Sequence, residues 1–201
     1  MSGASAERGG DSLPSAFAIR TVAVIGAGVA GRGFALACAA AGFDVVVEDV
    51  MPANLRRAQE EYADLGFLNA RARSPGRLDV ALTVEDAVRG ADVAVDFVPD
   101  ELESKLEIFC LVDRMAPPKT VLLTPSDALS ITDLASCTYR GDRCFAVRGG
   151  LAAGAAVRVV VPKGADEAAL EAVRRFLEGL GGEVVVEEDR VRPMLVRNLP
   201  G

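Results

Sequence analysis

From Arg20 to Glu188 the chain repeats one pattern: a short apolar run, a break, then a longer stretch with apolar positions at helical spacing. Alternation of this kind predicts parallel strands, buried on both faces, joined by crossover helices. "RTVAVIGAG" reads as a buried strand entering a glycine turn, and "VAGRGFALACAAAG" as a helix that Gly42 closes at its C′ position. "FDVVVED" is a second strand, and "PANLRRAQEEYADLG" a helix from Pro52 in its first turn to a stop at Gly66. "LNARARSPGRLDVAL" reads as a loop into a weak third strand, and "TVEDAVRG" as a short helix capped by Thr83, with Glu85 and Asp86 at the positive end of its dipole. Strands follow in "ADVAVDFVP", "KTVLLT", "RCFAV", "AAVRVVVP" and "EVVVEE". Between them lie helices in "DELESKLEIFCLVDRM", "SITDLAS", capped by Ser130, and "DEAALEAVRRFLEGLG". The expected fold is α/β: a doubly wound, mostly parallel Rossmann-type sheet with helices on both faces, over residues 19–190. Neither a repeat nor a dividing linker interrupts it.

Composition narrows the picture. Half of the 201 residues are apolar but only 5% are aromatic, so the core is built from Val, Leu and Ala. A net charge of −7 argues against general affinity for nucleic acid or an anionic membrane. The densest basic cluster, Arg56, Arg57, Arg71, Arg73 and Arg77, reads as a solvated helix face and loop, with a phosphate site as the alternative. The four cysteines, Cys38, Cys110, Cys137 and Cys144, lack CxxC spacing, and the chain has no histidine. Neither a zinc site nor a disulfide framework is expected, and each thiol is expected to be buried. No run of 18 apolar residues occurs and the start lacks a signal-peptide core, which points to a cytoplasmic chain whose residues 1–18 form a polar, disordered tail.

The first break carries chemistry. "GAGVAG" places Gly26, Gly28 and Gly31 as GxGxxG between an apolar strand and a helix. Gly26 allows the tight turn, Gly28 lets backbone amides approach a pyrophosphate, and Gly31 lets helix and strand pack closely. Val29 and Ala30 complete the helix N-terminus that holds the phosphates. Asp49, 18 residues beyond Gly31, suits the adenosine ribose hydroxyls. Its charge repels a 2′-phosphate, so NAD is expected rather than NADP. Glu48 takes that place if the strand is shifted by one residue.

Three blocks, "VAVIGAGVAGRGFALACAAAGFDVVVEDV", "ADVAVDFVPDELESKLEIFCLVDRMAPPKTVLLT" and "LSITDLA", resemble the NAD-binding domain of the 3-hydroxyacyl-CoA dehydrogenases. The resemblance implies an acyl-thioester substrate class, acyl-CoA or carrier-bound. It places Val98, Asp100 and Lys105 beside the cofactor, the last two matching a glutamate and lysine on the nicotinamide side. Elsewhere the chain departs from the family's pattern. The Asn-Thr-Ser-Ser turn after the fifth strand becomes Pro125, Ser126, Asp127 and Ala128, so that Asp127 stands for the substrate-binding serine. The catalytic histidine aligns with Arg148, and the glutamate that orients it aligns with Val160. "DRVRPMLVRNLPG" occupies the place of the linker into a helical C-terminal domain, so residues 191–201 are expected to be a tail.

Arginine does not release its proton at accessible pH, so Arg148 is no substitute base; it can stabilise an oxyanion or hold a carboxylate or phosphate. Asp127 is the one replacement that adds a titratable group, and an Asp127–Arg148 salt bridge is the expected way to fill the vacated site. Tyr139 and Arg143 have a reductase-like spacing but lie far from the expected helix. Two readings stay open: an NAD(H)-binding protein that has lost the ancestral reaction, or a divergent oxidoreductase, lyase, isomerase or cyclase working through Arg148 and Asp127. Exposed apolar surface at "AAVRVVVP" and "MLVRNLP" points to a homodimer or a partner subunit.

Overall fold

The computed structural model describes residues 18–68, 75–149 and 156–195, with the backbone alone for 65–68. The expected tail lies outside these residues except for Ala18, as do Arg71, Arg73 and everything beyond Leu195. Eight strands form one sheet: β1 (Thr21–Ile25), β2 (Asp44–Glu48), β3 (Leu78–Ala81), β4 (Val93–Asp96), β5 (Val121–Pro125), β6 (Cys144–Arg148), β7 (Ala156–Val161) and β8 (Glu183–Glu188). Their order is β3-β2-β1-β4-β5-β6-β7-β8. The first six are parallel; β7 runs antiparallel to β6, and β8 parallel to β7. The chain winds outward in both directions from β1 and β4. Their carboxyl ends form the switch point at which doubly wound sheets bind ligands.

Strand alternation sends Val22 and Val24 to one face and Ala23 and Ile25 to the other. The first face packs on α1 (Val29–Ala40), α2 (Pro52–Leu68) and α6 (Glu167–Gly179), where Phe176 meets Phe34 and Phe43 edge-on. The second packs on α3 (Val84–Val88), α4 (Leu102–Met115) and α5 (Ile131–Ala135). Thr83 and Ser130 cap α3 and α5 as expected, and Asp166 caps α6 by accepting from the Ala168 and Ala169 amides. Gly42 follows α1 with φ +95°, the left-handed C′ conformation.

The structure corrects three expectations. α2 continues through Gly66 to Leu68, because a glycine ends a helix only when it turns left-handed. β7 is not an exposed surface: β6 and β8 flank it, and Val157, Val159 and Val160 are buried. The exposed apolar side chains in this part are Val185 and Val186 on the edge strand β8, with Met194 and Leu195 beyond it. Of the four thiols only Cys38 and Cys144 are buried; Cys110 and Cys137 are half-buried between α4 and α5. Among the described residues no helix is long and apolar enough to cross a membrane.

Candidate functional site

The glycine turn is built by steric exclusion. Gly26 has φ +96°, and a Cβ there would press on the Phe97 backbone at 3.2 Å. A Cβ on Gly31 would overlap the Gly26 carbonyl oxygen, so only glycine lets α1 start this close to β1. Gly28 differs: a Cβ would meet nothing within 4 Å. Packing does not require glycine there, and its missing side chain leaves clear space before the helix. No side chain caps α1 and no acid occupies its first turn, so its positive end is unopposed. Val29 and Ala30, in that turn, are exposed.

Asp49 follows β2 and faces this turn. One carboxylate oxygen accepts from the Ala27 amide at 2.7 Å and the Asn54 side chain at 3.0 Å, and the other from the Met51 amide at 2.7 Å. A carboxylate offers about four acceptor positions, so one remains for a ligand hydroxyl. Glu48, the alternative acid, ends β2 buried; burial, followed by the charge of Asp49, raises its pKa. The strand register therefore gives Asp49 the turn-facing place. Arg32 ties the same corner together by bonding Glu61 on α2 at 2.9 Å and the Ala27 carbonyl at 3.3 Å.

Lys105 is placed beneath the cleft rather than on its wall. It is 1% exposed, and its ammonium meets Asp96, the last residue of β4, at 2.7 Å. Burial raises the Asp96 pKa, with Lys105 opposing. Among the described residues the second Asp96 oxygen has no partner at full hydrogen-bond geometry, with Thr124 and the Val98 amide nearby, and a cavity of about 10 Å³ beside it extends under α4. This pair pins the start of α4 to the strand end that precedes Phe97, Val98 and Asp100. Val98 is half-buried; Asp100 is exposed and accepts from the Asp127 amide at 3.3 Å.

Asp127 and Arg148 do not form the expected salt bridge. The Arg148 guanidinium turns instead to Glu187 on β8, with 3.7 Å between Nη1 and the carboxylate. Glu187 is the register neighbour of Val160. The strand position aligned with the family's orienting glutamate therefore lacks an acid, but the adjacent strand supplies one at the same level. Arg148 Nε and Nη2 are enclosed and unbonded among the described residues. Each such donor costs about 1–3 kcal/mol. Nearby, Asp189 accepts from Ser130, from the amide and hydroxyl of Thr132, and from the Val191 amide. Burial opposes its ionisation, but these bonds prevail and its pKa is lowered.

Residues 21–190 match the family model described as 3-hydroxyacyl-CoA dehydrogenase, NAD binding domain. The chain belongs to that family. A probable 3-hydroxybutyryl-CoA dehydrogenase of Bacillus subtilis is 32% identical over 134 residues, covering 62% of this chain and 46% of that protein. The 3-hydroxybutyryl-CoA dehydrogenase of Bradyrhizobium diazoefficiens is 28% identical over 182 residues, covering 85% and 62%. In fold, the (S)-3-hydroxybutyryl-CoA dehydrogenase of Ralstonia eutropha superposes with a TM-score of 0.75 at 22% identity, covering 86% of this chain and 64% of that one. The chain thus spans less than two thirds of the length of these relatives.

The cofactor of this NAD-binding domain is NAD, and the residues present fit it. The open space at Gly28, the uncapped helix and the spare acceptor on Asp49 match a diphosphate and a ribose hydroxyl. Sequence reasoning missed Asn54, Arg32, Asp96 and Glu187. Asn54 and Arg32 were within local reach of the motif, whereas Asp96 and Glu187 depend on strand pairing.

Proposed function

We propose that this domain binds NAD(H) through Gly26, Gly28, Val29, Ala30, Gly31 and Asp49, and that it does not carry out the family's base-assisted oxidation of 3-hydroxyacyl-CoA. Val50, Met51 and Leu82, exposed apolar residues at the ends of β2 and β3, supply the surface an adenine ring would cover. When bound, the nicotinamide takes up or delivers a hydride. Taking the hydroxyl proton falls to the protein, and a positioned base contributes about 10² to 10⁴ in rate. The observation that carries the proposal is Arg148 at the base position, paired with Glu187 rather than with an acid on β7. A guanidinium holds its protons in place and so orients or neutralises an anion.

The test pairs binding with turnover. NADH is expected to bind the full chain more tightly than NADPH, with no oxidation of NADH by acetoacetyl-CoA. The R148H/V160E variant, which returns a base and its orienting acid, is expected to gain measurable rate. Wild-type turnover of acetoacetyl-CoA sinks the proposal.

The second reading, a repurposed enzyme on an acyl-CoA or carrier-bound acyl group through Arg148 and Asp127, draws its support from the unbonded donors of Arg148. Loss of one defined activity in both R148Q and D127N would favour it. We also propose self-association over the β8 edge, supported by exposed Val185 and Val186; sedimentation as a monomer at high concentration contradicts it.

A further inference from the structure

We propose that Asn54 is a specificity-determining residue of the nucleotide site, holding the Asp49 carboxylate with an uncharged donor so that its full negative charge faces the ribose. This role rests on the NAD(H) reading above and deepens it. Asn54 lies half-buried in the first turn of α2, where its backbone amide donates to the Met51 carbonyl at 2.9 Å. From there its side-chain nitrogen reaches Asp49 Oδ2 at 3.0 Å. An ionised carboxylate only accepts hydrogen bonds, so the NH2 end of the Asn54 amide is the end that meets it.

The three donors to Asp49 divide unevenly between its oxygens. Ala27 and Asn54 both meet Oδ2, whereas Met51 alone meets Oδ1. With about two acceptor positions on each oxygen, Oδ2 is filled and the remaining position lies on Oδ1. Asn54 therefore sets which oxygen is offered to a ribose hydroxyl. All three donors are also neutral. Among the described residues Asp49 makes no ion pair, and Arg32, the guanidinium of this corner, is committed to Glu61 and to the Ala27 carbonyl. The Ala27 and Met51 donors are backbone amides, which any residue except proline supplies; only at position 54 does residue type set the charge of the donor. A lysine or arginine there would hold the same oxygen but cancel its charge, and would give a 2′-phosphate a partner. Asparagine holds the carboxylate and leaves its repulsion of a 2′-phosphate intact. With alanine, Oδ2 keeps one bond and the carboxylate is freer to turn away from an incoming phosphate.

Fluorescence titration of the full chain with NADH and with NADPH tests this role. N54A is expected to weaken NADH about fivefold and to leave NADPH nearly unchanged, which narrows the preference. N54R is expected to raise NADPH affinity about tenfold while lowering that for NADH. The D49A/N54A double variant separates positioning from a purely structural role: if Asn54 acts through Asp49, N54A changes NADH affinity little once the carboxylate is gone. An equal loss for both nucleotides in N54A, the same NADH loss in the D49A background, or no NADPH gain in N54R overturns the proposal. The wild type separates the two claims. If it binds NADH and the variants keep its preference, Asn54 is not the selector and the nucleotide reading stands; if it binds neither nucleotide, both fall.

Discussion

Beside the glycine turn, the Asp49 carboxylate accepts three hydrogen bonds from groups within the same corner; at the far end of that edge, the Arg148 guanidinium has two enclosed donors that are unbonded among the described residues. Both are charged groups at strand ends, and both belong to one sheet. The first corner is complete in itself: steric exclusion at Gly26 and Gly31 sets its geometry, and its ligand adds to a finished frame. The second has a guanidinium oriented by a neighbour on another strand and a deficit of acceptors. Enclosed donors without acceptors cost stability, so the second corner is the less complete of the two.

The largest effect is expected from K105M, which strands the buried Asp96 carboxylate and should cost about 3–5 kcal/mol in denaturant unfolding. Because Asp96 is raised above its ordinary range, its protonated form favours folding at low pH, and ionisation works against folding as pH rises through its pKa. The K105M deficit should therefore shrink in acid; a pH-independent deficit would show that packing, not charge, holds α4 to β4.

G31A comes next. Its Cβ would overlap the Gly26 carbonyl, which should cost about 1–3 kcal/mol and abolish NADH binding. G28A is the matched control: with no clash to relieve, it should keep near wild-type stability while weakening NADH, and a strong destabilisation would mean that this glycine serves the fold.

D49A should weaken NADH about tenfold in fluorescence titration, the worth of a charge-assisted hydrogen bond, while narrowing the preference over NADPH. An unchanged preference would remove Asp49 from the ribose.

The smallest effect belongs to D189N, which loses charge at the α5 N-terminus and should destabilise by about 1 kcal/mol at neutral pH. The Asp189 pKa is lowered, so its contribution is full above the ordinary carboxylate range and disappears as pH falls through the folded value. Mutant and wild type should converge in acid.

Much of the first corner was legible in the sequence. Glycines at fixed spacing after a valine-rich run, with an acid at the tip of the next strand, describe a turn whose parts lie close along the chain. The second corner was only half legible. Arg148 could be named as no base, but its partner was expected to be Asp127, the nearest changed residue on a neighbouring strand end. The pairing of β7 with β8 instead brought Glu187 to the level of Val160. Lys105 was singled out through the family resemblance, whereas its buried partner Asp96 looked like one polar residue in an apolar strand.

By itself the sequence determined the strand and helix succession, the glycine turn and the absence of a titratable base at residue 148. Those properties depend on side-chain volume, backbone freedom and residue type over a few positions. Tertiary structure decided which acid faces Arg148, that Lys105 is buried, and that β7 is interior. The first follows from the register of β8 against β7, where a one-residue change would turn Glu187 to the opposite face; the second from how α4 packs on the end of β4; and the third from strand order.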